Sequence, residues 1–261
     1  EGIENPPFEV VDDCWSVNDT EGPWYPNEKF GDMKKLATEI KAMGVRPGIW
    51  LRPLHNKDTA ITSEMRILGG GEKLYLDPTH PDTKAYIRAD IERIREWGYE
   101  LIKHDFSTYD MGIVPNESHN QLSDFIKGNR HFYDRTKTTA TIVKNLYKTI
   151  QNAVGDAEVI GCNTFGHLVA GIHSAQRVGN DTSGRSFEWT RKQGVNSMMR
   201  LPQNETFFNV DPDCAAFTEK VDPNLNLDFL EVCAITGMTT LASVTPGILT
   251  DEQISRINKI F

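Results

Sequence analysis

Seven short apolar runs, near residues 8, 46, 100, 158, 176, 207 and 240, punctuate the chain, and stretches with helical apolar spacing separate most of them. Strand and helix in alternation is the pattern of a parallel sheet, because each crossover must return over a face of that sheet. Residues 33–43 carry Met33, Leu36, Ile40 and Met43 as one stripe, and Gly44 stops the helix. Pro81 opens a second helix through 97, with Tyr86, Ile87, Ile91, Ile94 and Trp97 as its stripe and Gly98 at its end. Further helices are expected over 134–154, 187–199, 225–236 and 251–261, the last with Thr250 as N-cap. A long polar loop is expected over 107–131. The alternation predicts an α/β fold, a (β/α)8 TIM-type barrel more than a doubly wound sheet: no glycine-rich fingerprint follows the first strand and no phosphate loop occurs. Seven runs are one short of eight, so the first strand is expected outside the given chain, before residue 1. An open seven-stranded sheet is the alternative. Residues 1–261 read as one barrel domain, a fragment of a longer protein.

The strand ends carry the chemistry. The run Leu101-Ile102 turns abruptly into Lys103-His104-Asp105. A buried ammonium and a buried carboxylate each lose several kcal/mol of hydration and need partners. A salt-bridged strand end answers that need, and so does a site at the tip of a barrel strand. His104 should face away from its two neighbours, because successive side chains alternate. The other tips hold Asp12, Asp13 and Trp15; Trp50 and Arg52; Cys162 and Asn163; Arg177 and Asp181; Asp211 and Asp213. Parallel strands bring such tips to one face, so the list describes a polar pocket with tryptophan walls. Such a pocket suits a sugar, which offers hydroxyls to carboxylates and an apolar ring face to an aromatic. Glycoside hydrolysis needs two carboxylates in unlike surroundings. Asp105 beside Lys103 stays ionised and fits a nucleophile. Asp181, in the run Arg177-Val178-Gly179-Asn180-Asp181, fits an acid/base; a simple turn former is its plainer reading.

Composition narrows the partner. The 261 residues include 25% charged ones and carry a formal net charge of -9. That balance argues against nucleic acid and for a small-molecule partner. No run reaches the length of a membrane span. Oligomeric state is not written in any of these features. The cysteines, Cys14, Cys162, Cys214 and Cys233, are far apart and form no C-x-x-C pair, and most are expected reduced and buried. The histidines His55, His104, His167 and His173 make no metal pattern.

Five strings together resemble the clan of retaining α-galactosidases, glycoside hydrolase families 27 and 36. VVDDCW at 10–15 is similar to the acidic strand end that grips galactose hydroxyls, and GIW at 48–50 to the strand after it. LIKHDF at 101–106 resembles the Lys-x-Asp strand that carries the nucleophile, here Asp105. RVGND at 177–181 resembles the arginine and acid/base segment, here Asp181, and NVDPDC at 209–214 the Asp-Pro-Asp strand end. In that family the acidic pair ends the second barrel strand.

The resemblance implies a double displacement. Asp105 attacks the anomeric carbon while Asp181 protonates the leaving oxygen, and Asp181 then deprotonates water. It implies that Asp12, Asp13, Trp50, Lys103, Cys162, Arg177 and Asp213 bind a carbohydrate substrate, with Trp50 flanking the ring and Arg177 orienting Asp181 or a hydroxyl. No metal and no cofactor is implied. Two departures stand out. Cys162-Asn163-Thr164-Phe165-Gly166-His167 replaces the family's Cys-x-x-Gly-Gly-type segment. Phe106-Ser107 replaces a cysteine that in one branch pairs with the cysteine of DDCW, so Cys14 is expected without that partner. Terminal α-galactosides are the expected substrates; α-N-acetylgalactosaminides, β-L-arabinopyranosides and a non-catalytic carbohydrate-binding barrel are the alternatives.

Overall fold

A computed structural model of the chain describes residues 6–69, 74–114, 127–128 and 130–261. Most of the loop expected over 107–131, residues 115–126 and 129, lies outside the described residues, as does Phe125 within it. The chain divides into two compact units, one ending at His173 and one running Ser174–Phe261.

The first unit is built on four parallel strands in the order β1 (Phe8–Val11), β4 (Arg46–Leu51), β5 (Leu101–His104) and β6 (Glu158–Gly161). Of the two middle strands, β4 is buried without alternation from Pro47 to Leu51, as a strand covered on both faces must be, whereas β5 turns from Leu101-Ile102 to Lys103-His104. Gly48 lies at the centre: a Cβ there would come within 3.0 Å of Val10 Cγ2 and 3.1 Å of Leu101 Cδ2, so side chains of the flanking strands occupy its space. A hairpin of β2 (Ser16–Asn18) and β3 (Glu21–Pro26) fills a segment that reads as a Gly, Pro and Asn loop. It contributes Trp24 to the core.

Helix α1 (Met33–Ala42) starts where the Asp32 carboxylate accepts the Lys35 N–H at 3.0 Å. It buries Met33, Ala37 and Ile40, whereas Met43 falls past its end and is exposed. Helix α2 (Pro81–Glu96) has proline in its first turn and buries Ile87, Ile91 and Ile94. The short helix α3 (Ser107–Asp110) follows β5 directly. Helix α4 (Thr139–Val154) starts five residues later than expected. Asp134 instead closes its own turn, accepting Thr136 N–H at 3.0 Å and Thr136 Oγ1–H at 2.6 Å, and Thr138 takes the N-cap. The short α5 (Gly166–Val169) ends the unit.

In the second unit, β7 (Ala175–Arg177) pairs in parallel with β8 (Asn209–Asp211), and β9 (Ala215–Phe217) with β10 (Ala242–Val244). The strand expected over 207–210 begins two residues later, with Phe207 exposed, and β9 has no counterpart in the sequence reading. Helices α6 (Phe187–Met199), α7 (Pro223–Ile235) and α8 (Asp251–Asn258) complete it. Thr250 caps α8 as expected, in a reciprocal box with Gln253. Among the described residues no helix is long and apolar enough to cross a membrane. The four cysteines form no disulfide; Cys162 and Cys233 are buried, while Cys14 is exposed.

His104 points away from Lys103 and Asp105, into the layer between β5 and α4. Its Nδ1 lies 3.4 Å from His173 Nε2, and both rings pack edgewise or tilted on Tyr147. Burial holds His104 well below the ordinary imidazole range and brings His173 down to about 3. The unfolded chain, with imidazoles near 6.5, therefore takes up protons that the folded chain refuses. This stabilisation is complete above about pH 6.5 and declines as pH falls from there toward the folded values, by at most about 1.4 kcal/mol per pH unit for each ring. Urea melts at pH 7 and pH 5 check it. The parent loses stability between the two, and His173→Gln loses less; an equal loss in both would remove this explanation.

Candidate active site

The expected site residues fall in both units, and each set is described within its own. In the first unit the strand register decides which tips meet. Val11 is level with Ile49, and Trp50 with Lys103, so Asp12 and Lys103 stand two strands apart, roughly 10 Å across the sheet. A lysine side chain spans that gap over the intervening strand. Lys103 Nζ donates to both carboxylate oxygens of Asp12 at 2.9 Å. Asp13 follows at the same exposed tip. Withdrawal from water, then the Asp12 charge, pushes its carboxyl above the ordinary range. Cys14 closes the turn in the left-handed region at φ 66°.

Asp105 is 6% exposed and sits one step past β5, where its backbone N–H still donates to Leu51 O at 2.9 Å. Three donors hold its carboxylate. Trp50 Nε1–H reaches Oδ2 at 3.0 Å, while the Phe106 backbone N–H and Asn163 Nδ2–H reach Oδ1 at 2.7 and 2.6 Å. Lys103 is thus the partner of Asp12, and the groups that orient Asp105 are an indole, an amide and a backbone N–H. Trp50 is 2% exposed, so it does not stand as an open wall for a sugar ring; it acts on Asp105. Its ring belongs to an aromatic run that is buried except at its far end, Trp97. Trp24 lies 5.7 Å from it, Trp15 5.8 Å from Trp24, and Trp97 6.1 Å from Trp15. Trp15 Nε1–H donates to Trp50 O at 2.8 Å, tying the run to β4 at the level of the site. The expected tryptophan walls are buried packing, with Trp15 and Trp24 0% exposed.

The turn after Asp105 is fixed by Phe106 and Asp110, to which the sequence reading assigned no role, together with Arg52 and Asn163 from the neighbouring strand tips. Phe106 adopts φ 63°, a costly conformation for a non-glycine residue, and it aims the N–H at Asp105. Asp110, fully buried, accepts a fork from Arg52: Nη2 to Oδ1 at 2.6 Å and Nε to Oδ2 at 2.9 Å. The Arg52 guanidinium also lies 4.5 Å from the Phe106 ring centre. Burial raises the Asp110 carboxyl to about 6 against the pull of Arg52, whose own value moves up. Cys162 is buried at the tip of β6, with its N–H on His104 O at 2.7 Å. Beside it Asn163 stands at φ 48°, and its carbonyl accepts Thr108 Oγ1–H at 2.7 Å. An amide at a strand tip next to the strand that carries Asp105 was the available signal for the role of Asn163. Asp110 gave none, because its partner lies 58 residues away.

In the second unit Arg177 ends β7, level with Asp211 on β8. Its buried guanidinium bonds the Asp213 carboxylate and, at 2.8 Å, Asp181 Oδ1. Asp213 Oδ2 accepts the Thr182 N–H at 2.7 Å and Thr182 Oγ1–H at 3.0 Å, and its own N–H donates to Asp211 Oδ1. Asp213 thus anchors the loop that carries Asp181, a task that occupies one of its oxygens. Asp181 keeps 81% of its side chain exposed. Among the described residues no group of three or more His, Cys, Asp or Glu could hold a metal ion.

The loop's path depends on Gly179. A Cβ there would collide with Gln193 Oε1 and come within 2.6 Å of Asn196 Nδ2, the donor that holds Val178 O at 2.7 Å. Both partners sit on α6, one of them buried. Gly179→Ala is expected to cost about 1–3 kcal/mol by overpacking and to move the Asp181 loop. Chemical denaturation checks it; a parent-like midpoint would show that α6 yields freely.

No protein-family model matches the chain, and no curated protein matches its sequence. Solved structures do. An α-galactosidase from Thermus thermophilus, in complex with p-nitrophenyl α-D-galactopyranoside, superposes with a TM-score of 0.72 over 97% of this chain and 55% of its own, at 20% identity. A family 27 β-L-arabinopyranosidase from Geobacillus stearothermophilus, in complex with arabinose, gives 0.67 over 96% and 66%, at 12% identity. An isomalto-dextranase from Arthrobacter globiformis, complexed with panose, gives 0.65 over 97% and 48%, at 12% identity. The chain spans about half to two thirds of these relatives, and it shares their fold.

Proposed function

We propose that this chain, which has the fold of the α-galactosidase clan's catalytic domains, is the (β/α)8 barrel domain of a retaining glycoside hydrolase that removes terminal α-linked galactose. The observation that carries this reading is the Asp105 carboxylate: a nearly buried acid at the end of a parallel strand, oriented by an indole, an amide and a backbone N–H. Structural salt bridges do not need that arrangement; a nucleophile that must meet one carbon along one line does. Asp105 attacks the anomeric carbon. Asp181, exposed and bonded to Arg177, protonates the departing oxygen and later takes a proton from water. Asp12, Asp13 and Lys103 bind ring hydroxyls through the exposed Asp12–Lys103 pair. Cys162 of the first unit and Arg177 and Asp213 of the second complete the proposed set of binding residues, all three largely buried.

A panel of nitrophenyl glycosides tests the reading: α-galactoside, α-N-acetylgalactosaminide and β-L-arabinopyranoside. The α-galactoside is expected to be turned over fastest. Preference for the arabinopyranoside would keep the mechanism and change the sugar. Tight sugar binding without turnover of any member would favour a carbohydrate-binding barrel.

A further inference from the structure

The two oxygens of Asp105 are not equivalent. A carboxylate oxygen has two lone pairs in the plane of the group. Both acceptor directions of Oδ1 are taken, by Phe106 N–H at 2.7 Å and Asn163 Nδ2–H at 2.6 Å. Oδ2 accepts one bond among the described residues, from Trp50 Nε1–H at 3.0 Å. We infer that Oδ2 is the oxygen that attacks the anomeric carbon, and that Asn163 is the positioning residue that keeps Oδ1 out of the reaction. This rests on the glycosidase reading above and deepens it.

The step balances simply. A lone pair of Oδ2 forms the new bond to the anomeric carbon as the glycosidic C–O bond breaks. The leaving oxygen keeps the electron pair of the broken glycosidic bond and takes the proton of the acid. Oδ1 retains its two donors throughout, so the carboxylate plane does not rotate between attack and release. Asn163 is suited to this by its backbone. At φ 48° its side chain turns toward Asp105 while its carbonyl receives Thr108, bolting the tip of β6 to the turn after β5. Its amide oxygen and nitrogen are similar in size, but only the nitrogen donates.

The test replaces the donor in two ways in the whole chain. Asn163→Gly suits the positive φ and removes the amide. It is expected to lower kcat/KM on p-nitrophenyl α-galactoside roughly 10- to 100-fold, the worth of one hydrogen bond to a charged group, while the dissociation constant of free galactose stays within about twofold of the parent's. Asn163→Asp keeps the shape and sets a like charge against Oδ1. Its kcat/KM is expected to be the lowest near pH 7 and to recover as acid converts the new carboxylate into an O–H donor, so its optimum lies below the parent's. A merely structural asparagine would not move the optimum in that direction. Asn163→Gly within twofold of the parent, or an Asn163→Asp profile parallel to the parent's, overturns the proposal. A parent with no Asp105-dependent turnover overturns the glycosidase reading first and this inference with it, which is a different result from an active parent indifferent to Asn163.

Discussion

Asp105→Asn is expected to reduce glycoside turnover by roughly 10⁴-fold or more, as loss of a nucleophile does elsewhere, with little loss of folded protein. Both halves of that expectation follow from the three donors. An amide has no anionic oxygen to form the covalent intermediate. Its oxygen can still take the place of Oδ1 and accept from Phe106 and Asn163. Its NH2 then faces the Trp50 indole N–H where Oδ2 had been, and two donors meet. That mismatch costs about 1–3 kcal/mol, enough to lower the melting midpoint and too little to unfold the domain. Kinetics on the preferred nitrophenyl glycoside and a urea melt read the two effects separately. A variant that keeps a tenth of the parent's rate would exclude Asp105 as nucleophile. In the parent, NMR of the first-formed sugar reports stereochemistry: retention is expected, and inversion would make Asp105 a base acting through water.

Asp110→Ala is expected to be the most destabilising single change at the site, by about 3–5 kcal/mol. The Asp110 side chain is fully buried and that of Arg52 is 14% exposed, so truncating the acid leaves a guanidinium with its fork unmet in a poor place to find water. The cost runs further than the pair. Arg52 lies against the Phe106 ring, and Asp110 N–H donates to Phe106 O at 2.9 Å, so the same residues hold the left-handed turn that points Phe106 N–H at Asp105. Replacing both partners by apolar residues, Arg52→Met with Asp110→Leu, should recover much of the stability, because no buried charge remains unmatched. It should not recover activity, because the turn loses its restraint. A double-mutant cycle by urea denaturation checks the energy, and the glycoside assay checks the second part. Single variants within about 1 kcal/mol of the parent would mean that Arg52 finds water or another acceptor.

Much of this chain was legible as a string. The parallel strands, the helices after Asp32, His80 and Ser186, and the Thr250 cap follow from spacing and capping chemistry, which are local. Alternation along a strand set Lys103 and Asp105 on one side and His104 on the other. The acidic and basic residues named at the strand tips are where they were expected along the chain. Helix α4 shows the limit of the same method: its apolar spacing, Ile142, Leu146 and Ile150, does not fix where it starts, and the Thr138 side-chain cap decides where the first turn begins.

Partnership was a different matter. Sequence proximity pairs Lys103 with Asp105, whereas the register of β1, β4 and β5 delivers Lys103 to Asp12 across 91 residues. Trp50 reads as a wall for a sugar and is instead a buried donor to Asp105. Asp213 reads as a sugar ligand and anchors Thr182 and Arg177. Asp110 and Asn163 gain their meaning only from neighbours 58 residues away. The sequence by itself therefore determined which residues lie at strand ends, because periodicity, caps and turns are settled within a few residues. The tertiary structure alone decided which of them touch, because hydrogen bonds reach about 3 Å and only the packed sheet brings such distances about.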